Sequence, residues 1–131
     1  MPTQHSRDWQ DEIRSHTEWE WMFGRGGFYA ECMGGWRNLL VDLIRKIDAH
    51  VQGEWRKGDE DLPGFQVTQV KEKFGTLRFY CWGSDDQIDA WIEEAEEASA
   101  NTCELCGKEG KIYGHGWYMT RCPEHAPAEG R

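Results

Sequence analysis

Two short ligand pairs stand near the end of the chain: Cys103-Glu104-Leu105-Cys106, then fifteen residues, then Cys122-Pro123-Glu124-His125. Thiolate and imidazole are zinc ligands, and two intervening residues let both side chains of a pair converge on one tetrahedral ion, about 2.3 Å from sulfur. The spacing predicts a Cys3His knuckle or ribbon holding one Zn2+. Four protein ligands leave no open position for water, so the expected role of the ion is structural rather than catalytic. Gly107 and Gly110 suit the turn between ligands, and Lys111-Ile112-Tyr113 with Trp117-Tyr118-Met119 suit two short strands. His115, between Gly114 and Gly116, is the alternative fourth ligand; His125 is preferred because it completes the second pair. Metal binding contributes roughly 10 to 16 kcal/mol in zinc-finger peptides, enough to order a short tail.

Other catalytic signatures are missing. No paired-carboxylate, nucleophile-elbow, His-Glu-x-x-His or phosphate-loop motif occurs. Gly24-Arg25-Gly26 echoes a phosphate loop but lacks a preceding strand and a following Lys-Ser/Thr. Cys32 and Cys81 read as small buried hydrophobes, with a redox pair as the sharper alternative. A cysteine triad with His16, His50 or His115 can be drawn, and spacing neither supports nor excludes it. A metal-assisted nuclease would need a second cluster of His, Asp or Asn to hold a catalytic ion. The chain is therefore read as an interaction protein and not as an enzyme.

The elements that must position the zinc pairs form an α+β domain: helix, β-hairpin, helix, then the zinc ribbon. Trp36, Leu39, Leu40, Leu43, Ile47 and Val51 recur at spacings of three and four, which predicts an amphipathic helix over 36–51. The polar stretch Gly58–Asp61 and Pro63-Gly64 form a loop. Residues 65–82 read as a hairpin turning at Phe74-Gly75, with Leu77, Phe79 and Cys81 on one face and Arg78 and Tyr80 on the other. A second helix is expected from Ser84, where Ser84-x-x-Gln87 has capping-box spacing. Its buried stripe is Ile88, Trp91, Ile92 and Ala95, and its other face carries Glu93, Glu94, Glu96 and Glu97.

Three segments are expected: residues 1–35 as an aromatic-rich arm, 36–100 as the α+β core, and 101–131 as the zinc-binding tail packed on it. The arm carries Trp9, Trp19, Trp21, Phe23, Phe28 and Tyr29 without a sustained period. A short helix around Ser6 to Ser15 is possible there, and the aromatics are expected to pack on the domain or on a partner.

Charge narrows the partners. With 15 Lys and Arg against 24 Asp and Glu, the formal charge is −9, which opposes sequence-independent binding to phosphate backbones and to anionic membranes. No apolar run approaches about 18 residues, and the acidic first thirty residues do not resemble a signal peptide. The expected location is the cytoplasm, whose reducing chemistry also favours zinc over disulfides for five cysteines.

The string Val70-Lys71-Glu72-Lys73-Phe74-Gly75-Thr76-Leu77-Arg78-Phe79-Tyr80, the acidic helix after it and the Cys103/Cys106/Cys122/His125 tail resemble a group of small uncharacterised proteins of bacteriophages and bacterial prophages. The resemblance covers roughly residues 34–126 and includes the Gly35-Trp36 entry into the first helix. It implies no catalytic residues. It implies a setting, in which small acidic phage proteins bind a host protein stoichiometrically, some by imitating the negative surface of DNA.

The leading expectation is thus a zinc-stabilised acidic protein that binds and inhibits a host protein with a basic surface, of anti-defence or DNA-mimic type. Trp9, Trp19, Trp21, Asp86, Glu93, Glu94, Glu96 and Glu97 are the candidate contacts. The alternative is a nucleic-acid-binding regulator using Lys71, Lys73, Arg78 and Tyr80 with the zinc knuckle, and the third reading is a metal-assisted nuclease.

Overall fold

A computed structural model of the chain describes residues 9–61 and 64–127. The expected helix start at Ser6, Pro63 of the loop and the last four residues of the 101–131 tail lie outside the described residues.

The order is helical residues 9–14 (α1), a short helix Glu20–Phe23 (α2), α3 over Arg37–His50, β1 over Gln66–Lys73, β2 over Thr76–Trp82, α4 over Asp86–Ser99, and a ribbon of β3 (Lys111–Tyr113) and β4 (Met119–Arg121). It is an α+β fold of helix, antiparallel hairpin, helix and a C-terminal Cys/His cluster, as the sequence pattern predicts.

The apolar periodicity of α3 buries Leu40, Leu43, Ile44 and Ile47. A 3-10 turn, Gly34–Trp36, precedes it, so Trp36 sits just before the helix and is wholly buried. At the other end Arg56 satisfies orphan carbonyls, donating from Nε to Val51 O at 2.8 Å and from Nη2 to Asp48 O at 2.8 Å. A cation there also suits the negative end of the helix dipole.

The hairpin pairs Lys73 with Thr76, Lys71 with Arg78 and Val70 with Phe79, and a bulge lies between Val67 and Gln69. Its connection is Phe74-Gly75, with φ of 55° and 87°. Two successive positive φ values define a type I′ turn, whose twist matches the strands. Leu77 and Phe79 face inward, against α4, which also packs on α3.

The start of α4 differs from expectation. The cap is Asp85, whose carboxylate accepts the Ile88 N–H at 2.9 Å, and the helix begins at Asp86. Ser84 instead donates its hydroxyl to Asp89 Oδ1 at 2.6 Å. An Asp carboxylate caps as well as a Ser hydroxyl, and here Asp85 also takes His50 Nε2 at 2.9 Å, joining the end of α3 to the start of α4.

Residues 9–35 are not an appendage. Trp9, Ile13, Trp19, Met22, Phe28 and Ala30 belong to the same apolar cluster as α3, α4 and the hairpin. The Gln10 side-chain amide pairs with both backbone groups of Ala30, at 2.9 Å each. Glu31 extends the sheet, donating its N–H to Val70 O and accepting from Glu72 N at 3.0 Å. The segment lacks long elements, so sequence periodicity could not reveal that its aromatics are interior.

Candidate metal centre

The first ligand pair sits in a tight turn after α4. Cys103 N donates to Lys108 O at 2.8 Å and Gly107 N to Cys103 O at 2.9 Å, and Gly107 takes the positive φ that closes the turn. The second pair follows β4, where Pro123 opens a 3-10 turn and His125 N donates to Cys122 O at 3.0 Å. The ribbon brings the turns face to face, with β3 and β4 paired from Lys111–Arg121 to Tyr113–Met119. The second strand is thus Met119–Arg121, two residues later than expected.

The four ligand atoms of Cys103, Cys106, Cys122 and His125 all lie within 4.8 Å of one another. Cys106 Sγ and Cys122 Sγ are 3.5 Å apart, and His125 Nδ1 is 3.7 Å from Cys103 Sγ and 3.2 Å from Cys122 Sγ. A tetrahedron with zinc bonds of about 2.3 Å to sulfur and about 2.0 Å to nitrogen has edges near 3.6 to 3.8 Å. The set therefore fits one four-coordinate ion, and all five cysteines are free of disulfides. His115 is exposed and outside the set.

Backbone donors prepare the sulfurs. Burial opposes ionisation of Cys103, but the N–H groups of Cys122, Cys106 and Leu105 outweigh it and hold the thiol down at about 6. Desolvation pushes Cys106 up and the neighbouring sulfurs add to it, while Cys122 is held low against burial by hydrogen bonds from Cys106 and His125. Hydrogen bonds to Cys122 and Cys103 raise His125. Such mutual influence is what a cluster of metal ligands produces when its protons must leave together.

Residues outside the ligand pattern hold the centre to the domain. Gly35 N donates to Glu104 O at 2.6 Å, and Trp36 Nε1 donates to Thr102 O at 2.8 Å. A Cβ on Gly35 would overlap the backbone of Cys103 and Glu104. Glu104 is buried, its carboxylate accepting Met33 N at 3.1 Å and facing Arg121 Nη1 at 3.5 Å. Burial raises its pKa, and the Met33 amide and Arg121 only partly offset this. Thr120 Oγ1 donates to Gly75 O at 2.6 Å, tying the ribbon to the hairpin tip. No spacing rule connects Gly35, Trp36 or Glu104 to a metal site, and sequence reading missed them.

The other candidates are scattered. Trp9 and Trp19 are 6% and 4% exposed, so they are core residues and not partner contacts. Trp21 is half-buried, donating Nε1 to Asp48 at 2.8 Å beneath the Arg56 guanidinium. Asp86, Glu93, Glu94 and Glu97 are exposed on α4, but Glu96 turns to the hairpin, 4.0 Å from Arg78. Lys71, Lys73, Arg78 and Tyr80 do share the solvent side of the sheet. Cys32 and Cys81 pack against the core as the plainer reading has it. Burial raises the thiol of Cys32, and that of Cys81 to about 11, far from the thiolate character redox chemistry needs.

An open groove of about 700 Å³ flanks the tetrad, with Lys108, Lys111 and Arg121 facing Glu109 and Glu124. Among the described residues no second group of three His, Cys, Asp or Glu converges on a point. No described helix is long and apolar enough to cross a membrane.

Fold and site together define a small α+β protein with a Cys3His centre able to hold one metal ion. No protein-family model, no curated protein and no solved structure matches the chain.

Proposed function

We propose that the chain is a zinc-stapled interaction protein whose acidic surface docks on a basic surface of a host protein and blocks it, in a phage or prophage setting. The observation that carries the reading is the uncompensated strip on α4. Asp86, Glu93, Glu94 and Glu97 are exposed, and among the described residues none has a cation within 4.0 Å. Unpaired like charges repel one another, a cost that a cationic partner reverses. A closed tetrahedron supports the structural role of the ion, since a saturated zinc offers no position to substrate. The resemblance of the hairpin and tail to phage and prophage proteins supports the setting.

The test compares the zinc-loaded chain with a Glu93→Gln/Glu94→Gln/Glu97→Gln variant as bait in bacterial lysate, at low and high salt. The expected result is a basic partner retained by the parent, lost by the variant and released by salt. Identical recoveries on both baits would sink the reading.

A further inference from the structure

The formal charge of −9 conceals a strong segregation. Residues 66–82 and 111–121 hold five Lys and Arg against one Glu, so the total divides into +4 on the two hairpins and −13 elsewhere. The exposed apolar side chains are segregated in the same way. Six of the nine large ones among the described residues lie on these hairpins: Phe74, Tyr80, Trp82, Ile112, Trp117 and Tyr118.

Strand alternation puts Lys71, Lys73, Arg78, Tyr80 and Trp82 on the solvent side of β1–β2, opposite the buried Val70, Leu77 and Phe79. Among the hairpin's own residues no carboxylate shares that side, since Glu72 turns inward to accept Gly75 N at 2.7 Å; Glu31, bridged to Lys71, borders it and accepts Gln69 Nε2 at 3.3 Å. Lys71 and Arg78 are direct cross-strand partners. Like charges placed opposite one another destabilise a sheet. Glu96 answers only one side of the guanidinium at 4.0 Å, and Arg78 Nε has no hydrogen-bond partner.

At the tip, Phe74 holds a positive φ of 55° although the residue is 62% exposed. A left-handed conformation costs a bulky residue about 1 kcal/mol or more, and here no core packing offsets it. The tip abuts the ribbon, where the Gly114-His115-Gly116 loop presents Trp117 at 78% exposure. On this face Lys71, Lys73 and Arg78 thus lie beside Tyr80 and Trp82, along a strip about 20 Å long from Thr76 to Trp82.

We propose that the solvent face of β1–β2, continued by Phe74 and Trp117 at its tip, binds single-stranded nucleic acid. Bases stack on Tyr80, Trp82 and Phe74, and phosphates lie against Lys71, Lys73 and Arg78. Unpaired bases expose the π-faces that such side chains take, whereas a duplex hides them. The anion also relieves the Lys71–Arg78 repulsion. This proposal does not depend on the acidic strip of α4, which faces another partner.

The test titrates full-length, zinc-loaded protein against fluorescein-labelled oligo-dT and oligo-U of about 12 nucleotides, and a duplex of equal length, by anisotropy in about 25 mM NaCl. Expected are saturable binding to a single strand and weaker binding to the duplex. Preference between the two strands identifies DNA or RNA as the source. Trp82→Ala and Phe74→Asn should each weaken binding by about 5-fold or more. Lys73→Gln should flatten the log–log salt slope by about 0.7, and Glu93→Gln should leave affinity within about 2-fold. Phe74→Asn suits the type I′ turn, and its thermal unfolding beside the parent separates lost binding from misfolding. No anisotropy change up to about 100 μM protein, equal affinity for duplex, or aromatic variants that retain zinc and parental affinity each overturn the proposal.

Discussion

The carboxylate of Glu96 accepts the backbone N–H of Phe79 at 3.0 Å. Two residues along β2 and three along α4, Ser99 Oγ accepts the N–H of Leu77 at 2.9 Å. Strand β2 is the outer edge of the hairpin, and helix side chains supply the acceptors that a further strand would have offered its N–H groups. Edge strands with open donors invite pairing with other chains; α4 closes this one with an acid that sequence pattern assigns to a solvated face.

Replacing Glu96 should therefore hurt where its neighbours do not. Glu96→Ala is expected to cost about 1 to 2 kcal/mol in urea unfolding, because it leaves a part-buried N–H unanswered. Glu96→Gln, which keeps an acceptor oxygen, should cost less, and Glu94→Ala should stay within about 0.5 kcal/mol. Equal effects at positions 94 and 96 would contradict the edge-cap role.

Gly35 should tolerate no side chain. Its approach to Cys103 and Glu104 leaves no room for a Cβ, and both neighbours are backbone. Gly35→Ala is expected to lose about 3 kcal/mol or more, since the metal turn must lift off the domain. Metal content after dialysis and chemical unfolding read the two consequences, while Gly53→Ala, which meets nothing within 4 Å though its φ of 65° is strained, provides a milder control.

Phe74 offers the opposite case. Phe74→Asn places Asn-Gly in a type I′ turn and should raise stability by about 0.5 to 1 kcal/mol. Thermal unfolding measures it; a destabilised variant would mean that the ring supports the fold rather than standing ready for a ligand.

Metal removal should act locally first. Elemental analysis is expected to find one zinc per chain, and chelation or Cys106→Ser should lower the melting temperature by on the order of 10 °C. Hydrogen exchange should accelerate in β3 and β4 before α3. His115→Ala should keep the metal, because that side chain is exposed and outside the tetrad.

Acid should loosen the α3–α4 junction. Asp85 is partly desolvated, yet the Ile88 amide and His50 more than offset this and hold its carboxyl below the ordinary aspartate value. A lowered folded pKa means stabilisation present above the unfolded value of about 3.9 and lost as pH falls through the folded one. Asp85→Asn should accordingly be less stable than the parent at neutral pH, and the gap should narrow below about pH 4. Paired urea titrations across that range check the sign.

The ligand tetrad, both long helices and the hairpin were legible in the chain because each depends on local rules. Metal ligands need two-residue spacing, α3 a repeat of three and four, and β2 a repeat of two. Those rules act within a few residues, so one sequence window contains the whole signal. What only the tertiary structure decided were relationships between distant residues. Trp9 and Trp19 became core because they join the apolar cluster that α3, α4 and the hairpin also build, Glu96 became an edge cap because β2 lies beside it, and Gly35 became indispensable because Cys103 arrives 68 positions later. The arm had no period to betray its burial, and an exposed-looking glutamate carries no mark of the amide it will meet. Packing across long sequence separations is settled by the closing of one core, and no single segment holds that information.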